Sequence, residues 1–173
     1  MARSVPVPGS ERPRRARDPV AAGERDATLN RSAPHRYHLW ERLEAGILLT
    51  GSEVKAIRGG RANLKDAYAI IKDGELWLLN AHIGPYAQAG PFGHAPLRSR
   101  KLLVHAEELR KLIGKTQQKG LTLIPTRMYF RKGRVKVEIA LARGKQLWDK
   151  RETERRKTAE REAREAIARS RKS

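Results

Sequence analysis

Through the middle of this chain apolar residues recur at every second position, in short runs separated by turn-forming residues, the pattern of half-buried β-strands. The clearest run is 134–143, where Val135, Val137, Ile139 and Leu141 share one face and Arg134, Lys136 and Glu138 the other. Residues 121–131 precede it across Lys132-Gly133, so the two runs predict a long hairpin. Residues 67–72 and 75–80 flank Asp73-Gly74, a dipeptide that supplies the left-handed conformations of a two-residue hairpin turn. Shorter strands are predicted at 37–43, 46–50 and 102–104.

Elsewhere the period changes. Residues 52–58 open on Ser52, which is followed at once by Glu53, and stop at Gly59-Gly60, predicting a short helix with Ser52 as its cap. Residues 107–118 place Leu109, Leu112 and Ile113 at helical spacing, with acids in the first turn and bases near the end. Past Trp148 the apolar signal fades. Glu152 with Arg156, Glu160 with Arg164 and Glu165 with Arg169 are pairs four residues apart, each worth roughly 0.2–0.5 kcal/mol to a helix. Ala159, Ala163, Ala166 and Ile167 offer little to bury. Residues 149–173 are therefore expected to be a flexible, conditionally helical C-terminal tail, disordered when free and helical on a partner. Residues 1–29, rich in Pro, Gly and Arg without an apolar period, are expected to be a disordered N-terminal extension. Between them, residues 30–148 form one domain. The expected fold is mainly β with short helices: an oligonucleotide-binding (OB)-fold-like antiparallel β-barrel with flanking α-helices.

Charge then selects the partner. The 173 residues carry a formal net charge of +19 and a sequence pI near 11. Residues 30–148 alone hold 22 basic against 9 acidic groups, so the excess belongs to the folded body rather than to a basic tail. A polyanion is the natural partner, and nucleic acid fits better than an acidic membrane because the cations do not gather on one amphipathic helix. The chain lacks Cys, which suits a reducing compartment, and it shows neither an apolar signal core nor a membrane-length apolar stretch. A cytoplasmic monomer is expected.

Catalytic chemistry finds no support in the motifs. His35, His38, His82, His94 and His105 show no metal-ligand spacing, no phosphate-binding glycine loop occurs, and acids are scarce in the body. No catalytic residue, metal or cofactor is expected; the chain is expected to bind rather than react. Candidate contacts are Glu53, Lys55, Arg58 and Arg61 on and just after the short helix, and Asn63 beyond it, which suits a base contact or a turn cap equally. Glu53 is the odd member, since an acid in a positive patch repels phosphate; it accepts from a base edge or a 2′-hydroxyl, or it orients a neighbouring Arg. Arg98, Arg100 and Lys101 place further charge before the strand 102–104. Trp40 and Trp77 lie among alternating apolar residues and read as core in preference to stacking platforms. Trp148 lies outside the last strand beside charged residues, either stacking on a base or folding back on the barrel.

Ordered landmarks then add up to a resemblance. They are Asn30-Arg31, Tyr37, EAGILLTGSEVKAIRGGRANLKDAYA (44–69), ELWLLNAHIGPY (75–86), RKLLVH (100–105), KGLTLIPTRMYFRKGRVKVEIALARGK (119–145) and DKRE (149–152). Over residues 30–153 the chain resembles the small protein B family, the SsrA-binding proteins of bacterial trans-translation. The resemblance implies an OB-type barrel that binds the tRNA-like domain of transfer-messenger RNA at its D-loop and elbow and carries it into stalled 70S ribosomes. It implies that the barrel stands in for the missing anticodon stem, while the tail engages decoding-centre rRNA and enters the empty mRNA channel. RNA-binding roles would fall on Asn30, Glu53, Lys55, Arg58, Asn63 and Lys101, with Leu102 packing beside them; Arg61 and Arg100 join that set as neighbouring cations. Ribosome engagement would fall on Lys145, Trp148, Asp149, Lys150 and Arg151. Ser32, Ala33 and Pro34 depart from the family's usual basic run, as do Gly93 and Ala95 from its usual Asn and acid. A basic structural or assembly protein resident on the ribosome is the competing reading.

Overall fold

The computed structural model describes residues 24–118 and 120–170. Nine strands, four α-helices and a short 3-10 segment (Ala87–Phe92) follow one another among these residues. The strands are β1 (Glu24–Leu29), β2 (Tyr37–Ile47), β3 (Ala62–Asn63), β4 (Tyr68–Lys72), β5 (Glu75–Leu79), β6 (His82–Ile83), β7 (Arg100–Leu103), β8 (Leu121–Arg131) and β9 (Arg134–Gly144). The helices are α1 (Ala33–Arg36), α2 (Gly51–Arg58), α3 (Ala106–Thr116) and α4 (Leu147–Ser170).

Seven strands form one antiparallel sheet in the order β1-β8-β4-β5-β7-β2-β9, and β9 pairs in turn with β8. The pairing therefore returns on itself through six strands, with β1 added outside β8, and β3 with β6 makes a separate two-stranded ribbon. The OB barrel has five strands, whereas this circuit has six. Both predicted hairpins are present as two-residue turns. Asp73 and Gly74 have φ of 52° and 71°, and Lys132 and Gly133 have 49° and 74°, the paired left-handed conformations whose twist matches the flanking strands.

One face of the circuit encloses the core. Val137, Ile139 and Leu141 of β9 meet Leu123 and Met128 of β8, Leu76 and Leu78 of β5 and Leu102 of β7, with Ala56 and Ile57 of α2 and Leu112 of α3 closing it. A smaller cluster of Ala33, Ile124 and Ala142, with Tyr37 and Leu39 against it, lies under α1. That second layer explains why residues 139–142 are buried consecutively although β9 began by alternating: there the sheet is covered on both sides.

The structure alters several expectations. Residues 37–43 and 46–50 are not separate strands: β2 runs unbroken from Tyr37 to Ile47. Its register slips between Leu39 and Arg42, which pair with Ala142 and Ala140, so Trp40 and Glu41 together oppose Leu141 in a β-bulge. The bulge lifts Trp40 to 48 % exposure, which corrects its reading as core. Residues 24–29, expected to be disordered, form β1 along β8, and residues 1–23 of that extension lie outside the described residues. Arg127 of β8 holds β1 through Asp26 at 3.1 Å and Glu24 at 3.4 Å. No described helix is long and apolar enough to cross a membrane.

Candidate nucleic-acid interface

Helix α2 is built by its two ends. Thr50, not Ser52, is the N-cap: the Thr50 backbone N–H donates to the Glu53 carboxylate at 2.8 Å in a capping box. Ser52 is left to bond the ring of His94 at 2.9 Å, while the other nitrogen of His94 lies 3.0 Å from the Ile83 carbonyl. At the far end the N–H groups of Gly60 and Arg61 donate to the Ile57 and Ala56 carbonyls, both at 3.0 Å, the Schellman arrangement. Gly60 occupies the left-handed position of that motif, with φ of 76°. Eight residues between these stops turn Glu53, Ala56 and Ile57 inward and leave Lys55 and Arg58 outside.

Glu53, which the sequence placed among the candidate RNA contacts, is fully buried. Its carboxylate accepts the fork of Arg98 at 3.1 and 2.8 Å and the Nε of Arg100 at 2.8 Å. Arg100 is equally buried, donating to the carbonyls of Ala81 at 2.8 Å, Arg98 at 2.9 Å and Pro96 at 3.2 Å. Burial pushes the Glu53 carboxyl up, but the Arg98 fork, the Thr50 N–H and Arg100 outweigh it and hold it at about 2. Burial also pulls Arg100 down from its ordinary value while Glu53 opposes it; an arginine remains charged nonetheless. A buried acid with two arginines fixes α2 against the 94–100 segment. Orienting a neighbouring Arg is among the roles considered for Glu53, and its contacts are with Arg98 and Arg100.

Asn30 and Leu102 are buried as well. Asn30 is 5 % exposed, and its amide is saturated: Nδ2 donates to Leu64 and Pro125 carbonyls at 3.1 and 2.9 Å, and Oδ1 accepts from Ser32 Oγ at 2.8 Å and the Ala33 N–H at 3.2 Å. The reason lies in β8, where Pro125 lacks an N–H and the register slips between Pro125 and Arg127. The bulge leaves carbonyls unladdered, and Asn30 satisfies them, its backbone N–H donating to the Thr126 carbonyl at 2.8 Å. Leu102 is 2 % exposed and belongs to the core.

The assigned groups that remain accessible are Lys55, Arg58, Arg61 and Asn63, with Lys101 half-buried and ion-paired to Glu75. The first two lie on α2 and the next two follow it closely in the chain. Lys55 sits 5.3 Å from the centre of the Tyr86 ring, and Arg58 5.7 Å from that of Phe130. Arg61 donates to the Pro85 carbonyl at 2.8 Å, and Asn63 pairs with His82 in the β3–β6 ribbon. Asn63 also caps its own turn, accepting the Lys65 N–H at 2.8 Å. Tyr86, Phe130 and His82 escaped the sequence reading; Pro85-Tyr86 after an apolar strand was the available signal for the first.

The tail is one helix of 24 residues without a buried side chain. Its root is tied to the body. Asp149 lies 3.4 Å from His38 and Glu154 3.4 Å from His35, while Lys145 Nζ donates to the Pro34 carbonyl at 3.0 Å and to Thr153 Oγ1 at 3.2 Å. Trp148 is 67 % exposed, so it does not fold back on the body. Lys150 is half-buried and Arg151 exposed, so the tail residues are accessible except for Asp149, which faces the body. Among the described residues no group of three or more His, Asp or Glu could hold a metal ion.

A positively charged, mostly β body that presents cations beside aromatic rings and extends a polar helical arm defines an RNA-binding adaptor class of protein. The sequence model of the SmpB protein family matches residues 27–169. The chain belongs to that family. It is 69 % identical to the SsrA-binding protein of Koribacter versatilis (strain Ellin345), across 91 % of this chain and 90 % of the relative. It is 56 % identical to the SsrA-binding protein of Trichodesmium erythraeum (strain IMS101), across 84 % and 94 %. A solved structure described as "tmRNA-SmpB: a journey to the center of the bacterial ribosome" is similar at 46 % identity and a TM-score of 0.61, covering 75 % of this chain and 94 % of that one.

Proposed function

We propose that this chain binds the tRNA-like domain of transfer-messenger RNA on its α2 surface and delivers that RNA to stalled ribosomes in the cytoplasm, where α4 engages the decoding centre and the empty mRNA channel. The observation that carries this reading is the division of the molecule. Its exposed cations border Tyr86 and Phe130 on the body, whereas α4 leaves the body with no buried side chain of its own. The names of the relatives, SsrA-binding proteins, identify the RNA, and the tmRNA–SmpB neighbour supplies the ribosome. A binder of this kind needs no catalytic group.

Truncation after Trp148 tests the division directly. It removes most of α4 and leaves the α2 surface intact. Affinity for the tRNA-like domain, measured against excess ordinary tRNA, is expected to stay within about twofold, while peptide tagging of stalled products is abolished. Loss of RNA affinity in the truncated chain would overturn the division. Retained tagging would show that the arm is dispensable. Stable residence of the full chain on ribosomes that lack transfer-messenger RNA would favour a structural ribosomal protein.

A further inference from the structure

The bulge in β2 places an aromatic ring and a cation together at a second site, away from α2. His38 and Arg143 are cross-strand partners of β2 and β9. Arg143 is exposed and directly follows Ala142, the last buried residue of β9. Trp40, raised by the bulge, lies beneath the Arg143 guanidinium, 5.6 Å from it and 48 % exposed. Among the described residues Arg143 has no carboxylate partner, whereas the neighbouring Glu41 is neutralised by Lys115 of α3. The root of α4 reaches the same rim, through Asp149 on His38.

We propose that Trp40 and Arg143 form a second RNA contact, which takes one unpaired nucleotide with its base stacked on the indole and its phosphate on the guanidinium. An indole stacks on any base, because every base has a π-face. A guanidinium already aligned by the ring, with its donors free of carboxylate, is ordered in advance for phosphate. RNA is favoured over an acidic protein partner because the body carries a net excess of 13 cations and because a flat aromatic surface suits a base better than a carboxylate. Its position at the root of α4 means that whatever RNA the arm enters passes this rim. The inference rests on the chain being an RNA-binding adaptor, and it adds a contact distinct from the α2 surface.

The test uses the full chain, first saturated with the tRNA-like domain of transfer-messenger RNA so that the α2 surface is occupied. A labelled single-stranded oligo(A) of about twelve nucleotides is then titrated in by fluorescence anisotropy. Binding to the saturated protein is expected, with affinity falling at least fivefold in Trp40→Leu and in Arg143→Gln and largely kept in Trp40→Phe, where a stacking ring remains. Affinity for the tRNA-like domain should stay within twofold in all three. Displacement of oligo(A) by the tRNA-like domain would reduce the two surfaces to one, and equal affinity in Trp40→Leu would remove the platform; either overturns the proposal. So would absence of oligo(A) binding to the wild-type chain, which would leave this face to a protein partner. Arg143→Gln carries the test should Trp40→Leu fail to fold. Failure of the wild-type chain to prefer the tRNA-like domain over ordinary tRNA would instead count against the adaptor reading, and the oligo(A) comparison would still be read without the saturating RNA.

Discussion

Glu53 shows how far a residue's role depends on where its helix is packed. In the sequence it is an acid between cations, and direct hydrogen bonding to RNA was a reasonable assignment. Buried against Arg98 and Arg100, it has both carboxylate oxygens taken up within the fold. Removing one member of such a cluster leaves uncompensated buried charge, so Glu53→Ala should destabilise the fold by about 3–5 kcal/mol. RNA affinity should fall with it, because α2 carries Lys55 and Arg58. Urea unfolding alongside RNA titration distinguishes the roles: a direct contact would lose affinity at unchanged stability. The same carboxyl makes stability depend on acid. Its folded value near 2 lies below the ordinary 4.5, so its contribution, about 3 kcal/mol from that difference, is complete above pH 4.5 and is lost as pH falls through 2. Urea midpoints between pH 2 and 6 should decline accordingly, and more steeply than in Glu53→Gln.

Elements differ in how plainly the sequence declares them. The hairpins at Asp73-Gly74 and Lys132-Gly133 were legible because turn and strand signals are local and agree. The helix α3 was legible for the same reason, within two residues at either end. Strand β1 was not: Glu24–Leu29 has too little alternation to announce a strand, and it exists because β8 offers an edge and Arg127 two ion pairs. The bulge at Trp40 was equally hidden, since it arises from register between β2 and β9 and not from either strand alone. Of the candidate site, Lys55, Arg58, Arg61 and Asn63 lie exposed, whereas Asn30, Glu53, Arg100 and Leu102 are buried. Polarity in a sequence does not reveal burial when the partners are distant in the chain. For α4 the packing argues that helicity depends on its root. Amide hydrogen exchange should show protection above random coil near residues 150–156, where the His35, His38 and Lys145 contacts lie, and little from residue 158 onward. Uniform strong protection along α4 would require a packing partner that the body does not provide.

At the scale of the whole molecule, the excess of cations must be divided between those that hold the fold and those that meet RNA. Arg98, Arg100, Arg127 and Arg131 are paired with carboxylates within the body, so much of their charge is already offset. Lys55 and Arg58 face rings and Arg61 a carbonyl, contacts that leave their charge uncompensated. Counterion release therefore assigns the salt dependence of binding to a few residues, not to the net charge of +19. The triple substitution Lys55→Gln, Arg58→Gln, Arg61→Gln should make the slope of log affinity against log salt shallower by about 2–3, close to one per lost phosphate contact. The difference from the unaltered chain should be large at 50 mM salt and should shrink toward 1 M, because the charged contacts have then lost their counterion advantage. A slope that does not change, with affinity reduced equally at every salt concentration, would mean that these side chains meet the RNA through hydrogen bonds and stacking, and that its phosphates lie elsewhere on the body.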